Sequence, residues 1–195
     1  MAEPYGESPL SARAGTLARH SAPDAVRIAE IPFTAQVDLR VDPKGLAGGR
    51  IGTAIGAMLP NLPGSVVRTG DLLVLWLGPD EWLLLGREGA AESIQDTLSA
   101  ALGDEHGAVV DVSANRTIIE VSGPSAREVL NKGCALDLHP RSFGPDRCAQ
   151  TLLARTGVLL VCRDVRPPSY WLIVRASFAR YVTDWLIDAA AEYVG

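Results

Sequence analysis

An α+β fold made of two β-α-β-β-α-like cycles is predicted by three observations. Runs of strand-forming residues alternate with amphipathic helical patterns, short turn sequences join neighbouring strands, and the order strand, helix, hairpin, helix occurs twice. Such an order gives mostly antiparallel sheet with helices packed on it.

Residues 1–24 carry Pro4, Pro9 and Pro23 among Ser, Ala and Gly, have no sustained apolar period, and read as an extended N-terminal arm. Residues 25–195 read as a single domain, within the usual ~100 to 200 residues per domain. In the first cycle, residues 33–41 alternate weakly as a strand, and Ile51, Ala54, Ile55, Met58 and Leu59 follow at helical spacing. Apolar runs at 72–77 and 82–85 flank Gly78-Pro79-Asp80-Glu81, where proline at the second turn position pre-sets φ, and so predict a hairpin. Ile94, Leu98, Ala101 and Leu102 then mark an amphipathic helix that ends near Gly103.

The second cycle begins with strands at 109–112 and 116–121. Gly123-Pro124 stops the latter and opens a short helix, with proline at its first position, Ala126, Val129 and Leu130 as its apolar stripe and Gly133 as its stop. Beyond a loop holding His139-Pro140 and Gly144-Pro145, residues 151–154 and 158–162 form a hairpin around Thr156-Gly157, and Pro167-Pro168 turns the chain into a strand over 170–174. The last helix carries Phe178, Tyr181, Val182, Trp185, Leu186, Ala189 and Ala190 at i, i+3, i+4 spacing, which places Trp185 in the core.

A hydrophobic fraction of 47% with 21% charged residues suits a packed core, and no window reaches the ~18 consecutive apolar residues of a membrane span. The N-terminus lacks a basic start followed by an apolar run, so a cytoplasmic location is expected. A net charge of −5 leaves no basic surplus to neutralise phosphates, which argues against nucleic acid as a partner. Cys134, Cys148 and Cys162 are odd in number and widely spaced, as suits buried reduced thiols.

Chemistry-bearing patterns are sparse. His20, His106 and His139 stand alone, at no metal-ligand spacing. The glycine-rich 45–52 segment fits neither GxGxxG nor GxxxxGK[ST], and small residues for close helix packing explain it better. Ser113, His106 and Asp111 hold the residue types of a nucleophilic triad, but no nucleophile elbow surrounds the serine. Asp80-Glu81 reads as turn chemistry, and Trp76 and Trp82 beside it suit either a partner-facing surface or the core. No catalytic, cofactor-binding or metal residue is assigned.

The stretch Val110-Asp111-Val112-Ser113 through Gly123-Pro124-Ser125-Ala126 to Leu130 resembles the "DLSH...VSGPDA...L" segment of the glycine-cleavage T-protein and its folate-binding relatives. Ser8-Pro9-Leu10, Leu77-Gly78-Pro79-Asp80-Glu81-Trp82-Leu83-Leu84 and Tyr170-Trp171-Leu172-Ile173-Val174, followed by a Trp-containing helix, narrow the resemblance to the gamma subunits of heterotetrameric sarcosine oxidases, over nearly the whole chain. That resemblance implies an assembly oxidising sarcosine to glycine, hydrogen peroxide and a one-carbon unit taken up by tetrahydrofolate. It implies alpha and beta subunits holding the flavins FAD and FMN, NAD and tetrahydrofolate, a delta subunit holding zinc, and a gamma subunit with no assigned chemistry. The T-protein pattern is broken at three places. Val158, Leu159, Leu160 and Val161 follow Gly157 where that enzyme has an aspartate, its asparagine is replaced near Arg175, and its histidine is Ala114. The resemblance therefore implies a non-catalytic structural subunit; the alternative is a stand-alone folate-binding one-carbon transfer module.

Overall fold

A strand that is apolar at successive positions needs cover on both faces. In β5 (Glu81–Gly86), Trp82, Leu83, Leu84 and Leu85 are all buried. Alternation sends Trp82 and Leu84 toward a helical layer, and Leu83 and Leu85 toward a second sheet. The computed structural model, which describes residues 6–22 and 24–194, follows this rule throughout.

The first sheet holds β2 (Ala35–Val41), β3 (Val66–Thr69), β4 (Leu72–Gly78), β5 and β6 (Gly107–Asp111), in the order β3-β4-β5-β2-β6. The second holds β1 (Arg27–Ile31), β7 (Arg116–Ser122), β8 (Arg147–Leu153), β9 (Thr156–Val165) and β10 (Pro168–Arg175), in the order β1-β7-β10-β9-β8. Every pairing is antiparallel. Ile118, Leu159, Val161 and Ile173 of the second sheet meet Leu73, Leu75, Leu83 and Leu85 of the first in a shared apolar seam. Helices α2 (Leu46–Ile55) and α3 (Ala91–Leu102) cover the outer face of the first sheet; α4 (Ala126–Asn131) and α5 (Ala176–Ala190) cover that of the second.

The two predicted cycles are present, but they exchange strands. The sequence order places residues 109–112 at the start of the second cycle. Instead β6 hydrogen-bonds to β2, with Val37 opposite Asp111 and Val41 opposite Gly107. In return β1, which has no clear sequence signal, pairs with β7, placing Ile28 opposite Val121.

The extended arm is also corrected over its described part. Ser11–Arg13 form a 3-10 turn that runs into α1 (Ala14–Arg19). Leu10 and Leu17, seven residues and so two turns apart, are buried in the second sheet's core. Ser8 Oγ donates to Glu30 Oε2 at 2.6 Å, and Arg13 pairs with Asp184 of α5. Pro4 and Pro23 lie outside the described residues.

Smaller differences have local causes. Gly56, at φ +75°, ends α2, so Met58 and Leu59 fall beyond the helix. Pro124 sits in the turn before α4, and Gly133 is required for a different reason than stopping a helix: a Cβ there would lie 2.5 Å from the Trp185 ring. Trp185 is accordingly half-buried, against Gly133. The second hairpin turns at Ala154-Arg155, with Ala154 at φ +52°, two positions before the predicted Thr156-Gly157.

Candidate functional site

The residues singled out as chemical candidates do not converge. Ser113 Oγ donates to Asp111 Oδ1 at 2.6 Å and accepts from the Gln36 N–H at 2.9 Å, which makes it part of the turn after β6; His106 is exposed at the far end of that strand. His20 Nδ1 contacts the Thr16 carbonyl at 2.9 Å, and His139 Nδ1 accepts from the Arg141 N–H at 3.2 Å. Among the described residues, no group of three or more His, Cys, Asp or Glu is placed to hold a metal ion.

The glycine-rich segment opens α2, and its N-terminus already holds an anion of the chain itself. Glu105 accepts from the Ala47 N–H at 3.2 Å and pairs with Arg50 at 3.0 Å. Gly48 allows a close approach, since a Cβ there would lie 2.9 Å from the Pro43 carbonyl oxygen. Trp76 and Trp82 face each other across β4 and β5. Trp82 is fully buried, its Nε1 donating to the Pro60 carbonyl at 2.8 Å, and Trp76 is half-buried against the same core.

A cleft lies elsewhere, at the end of the inter-sheet seam, with a volume of about 590 Å³. It forms because the second sheet runs past the first: Arg116, Gly157 and Arg175 share the face of Ile118, Leu159 and Ile173, but of the first sheet only Leu77 reaches them. Arg116 and Arg175 stand directly opposite each other across β7 and β10, an arrangement in which like charges repel. Arg155, from the β8–β9 turn, supplies a third guanidinium. No carboxylate lines the cleft, and none of these three arginines joins an ion pair among the described residues. Arg116 Nη1 is shielded from solvent and lacks a hydrogen-bond partner.

Two carboxylates lie behind this cluster. Burial, together with the neighbouring Glu81, pushes Asp38 above the usual carboxylate range, against the opposing pull of Arg40 and Arg116. Glu81 itself is bound to Arg40 at 2.7 Å. Another cationic group is satisfied within the chain: Arg163 stacks 3.9 Å from the Trp171 ring, and Glu120 pairs with Arg27 at 2.6 Å.

The positions where the T-protein pattern is broken separate in space. Val158 and Leu160 pack under α5, and Leu159 and Val161 fill the seam, so the hairpin offers hydrocarbon where that enzyme has a carboxylate. Arg175 lies in the cleft, and Ala114 is exposed in the turn after β6. The sequence reading missed Arg116, Arg155 and Phe178 as a group, because they come from separate segments and only strand register unites them.

Residues 41–192 match the model of the "Sarcosine oxidase, gamma subunit family". The chain is 42% identical over 187 residues to a sarcosine oxidase subunit gamma of Corynebacterium sp. (strain P-1), covering 95% of this chain and 90% of that protein. It is 41% identical to the same subunit of an Arthrobacter species, at the same coverage. Among solved structures, it matches a chain of the heterotetrameric sarcosine oxidase from Corynebacterium sp. U-96, solved with pyrrole 2-carboxylate, at a TM-score of 0.89 and 40% identity over 98% of both chains. The glycine cleavage system aminomethyltransferase T of Bartonella henselae shares the fold at a TM-score of 0.65 and 14% identity, over 90% of this chain and 49% of that one. On the family match and the near-complete coverage of these relatives, the chain belongs to the sarcosine oxidase gamma subunit family.

Proposed function

We propose that the chain is a non-catalytic structural subunit of a cytoplasmic, heterotetrameric sarcosine oxidase, in which residues 25–195 act as one T-protein-like domain. Its partners are the alpha, beta and delta subunits, and FAD, FMN, NAD and tetrahydrofolate reside in those partners. The observation that carries this reading is the match over 98% of both chains to a component of a heterotetrameric sarcosine oxidase. The site chemistry supports it: the candidate nucleophile Ser113, the histidines His20 and His139 and the glycine-rich helix start are each engaged in local structure, and His106 stands apart, exposed. Permanent partners of this kind share interfaces of roughly 2,000 Å² or more. The stand-alone folate-transfer reading is disfavoured, because the cleft offers three cations and no carboxylate to steer a folate amine.

The test is co-expression with the other subunits from the same host, followed by purification on a tag placed on a flavin-bearing subunit. The expected result is a stoichiometric complex that consumes oxygen with sarcosine, while the chain alone carries no flavin absorbance and no activity. Sarcosine turnover by the purified chain would overturn the proposal.

A further inference from the structure

We propose that the arginine cleft at the end of the inter-sheet seam is the seat of an acidic, carboxylate-bearing segment of another subunit. This rests on the assembly reading above and adds to it a place and a chemistry.

Charge is the first argument. Arg116, Arg155 and Arg175 converge with no carboxylate in the lining, in a chain whose net charge is −5, and Arg116 Nη1 is buried without a partner. Opposed arginines on adjacent strands weaken the isolated chain, and a carboxylate between them reverses the sign of that interaction. Shape is the second. Phe178, in the first turn of α5, lines the cleft although it is 44% exposed, and Tyr181 continues from it along the same side of the helix. Leu152, 55% exposed, flanks the other side. Arginine and aromatic side chains around an apolar surface are the composition of a protein interface core. An aromatic stripe leading out of the cleft fits a chain segment better than a small anion held within it. Gly157 is the third. A Cβ there would meet nothing within 4 Å, so its bareness serves no packing inside the chain and leaves the cleft floor open.

The test uses the co-expressed complex, captured through a tagged flavin-bearing subunit and washed at rising salt. Arg155→Glu with Arg175→Glu is expected to reduce retention of this chain by about tenfold or more. Gly157→Trp, which fills the cleft without a charge change, is expected to do the same. Arg19→Glu with Arg87→Glu makes an equal charge change outside the cleft and is expected to leave retention intact. Circular dichroism of each free chain confirms folding. If wild-type chain is retained and both cleft variants are retained equally well, this inference is overturned while the assembly reading stands. If wild-type chain is not retained at all, the assembly reading fails and takes the inference with it. Micromolar binding of citrate to the isolated chain, lost in the arginine double variant with assembly unaffected, would assign the cleft to a small anion and overturn the inference.

Discussion

The two hairpins β4–β5 and β8–β9 are built alike and finished differently. Each joins its strands through two residues, Pro79-Asp80 in one and Ala154-Arg155 in the other. Each tip is tied back by its main chain: Val41 donates to the Asp80 carbonyl at 3.1 Å, and Ala154 donates to the Gly133 carbonyl at 2.8 Å. The side chains diverge from there. At the first tip Glu81 is matched by Arg40 and Trp82 is buried with its N–H satisfied. At the second, Arg155 is unmatched, Leu152 faces solvent and Gly157 leaves open space. Equal backbone order with unequal side-chain satisfaction separates a hairpin that completes its own core from one that offers a surface.

The largest effect that should separate them is truncation. Trp82→Ala removes a fully buried ring and should cost about 3–5 kcal/mol, whereas Leu152→Ala should stay within ~0.5 kcal/mol, both read by urea denaturation of the isolated chain. Equal losses would break the contrast.

Next in size is alkaline pH. Burial pushes the Cys148 thiol, in β8, up to about 11, and does the same for Cys162 in β9. Their folded values exceed the unfolded one of about 9, so their contribution to stability is complete below pH 9 and is lost as pH climbs toward 11. Denaturation midpoints should fall across that window, and at pH 8 a thiol reagent should modify both cysteines far more slowly in the folded chain than in denaturant. Rapid modification of Cys148 in the folded chain would mean that the β8–β9 hairpin is open at its base as well as at its tip.

A smaller effect concerns the charges. Arg40→Gln breaks the ion pair to Glu81 at the surface and should cost between 0 and ~1 kcal/mol, while Arg155→Gln should cost nothing measurable. Similar in size but opposite in sign is the relief expected from Arg175→Gln. Removing one of two opposed arginines should raise the isolated chain's stability by about 0.2–1 kcal/mol, and the gain should shrink in high salt, where like charges are screened. A loss of stability instead would mean that Arg175 already has a partner within the chain.

Elements stated by local chemistry were legible in the sequence. The Pro79-Asp80 turn, the helix ending at Gly103 and the final helix all appear where periodicity and turn residues place them. Elements made by distant pairing were not. In β1, Arg27-Ile28-Ala29-Glu30-Ile31 is only five residues of mixed charged and apolar character, too short to establish a period, and becomes a strand because β7 lies alongside it. The four residues of β3 are too few to establish a period. Leu10 and Leu17 carried a helical spacing that the surrounding prolines concealed.

The cleft was less legible still. Arg175 was marked by its departure from the T-protein pattern, but its position opposite Arg116 is a matter of register. Helical spacing alone places Phe178 in the buried stripe of α5. That stripe is too wide for one helix face, and the positions that pack, Ala179, Val182, Thr183, Leu186, Ala189 and Ala190, leave Phe178 and Tyr181 at its margin.

The exchange of edge strands carries a consequence for how the chain is made. A ribosome delivers β1 with Val26 and Ile28 long before it delivers β7, and until Ser122 has emerged those apolar residues have only Leu10 and Leu17 of the preceding turns to dock against and no strand to pair with. The half of the polypeptide synthesised first therefore cannot mature alone. Its opening segment holds an unpaired strand edge until the later half arrives, and only then is the second sheet complete.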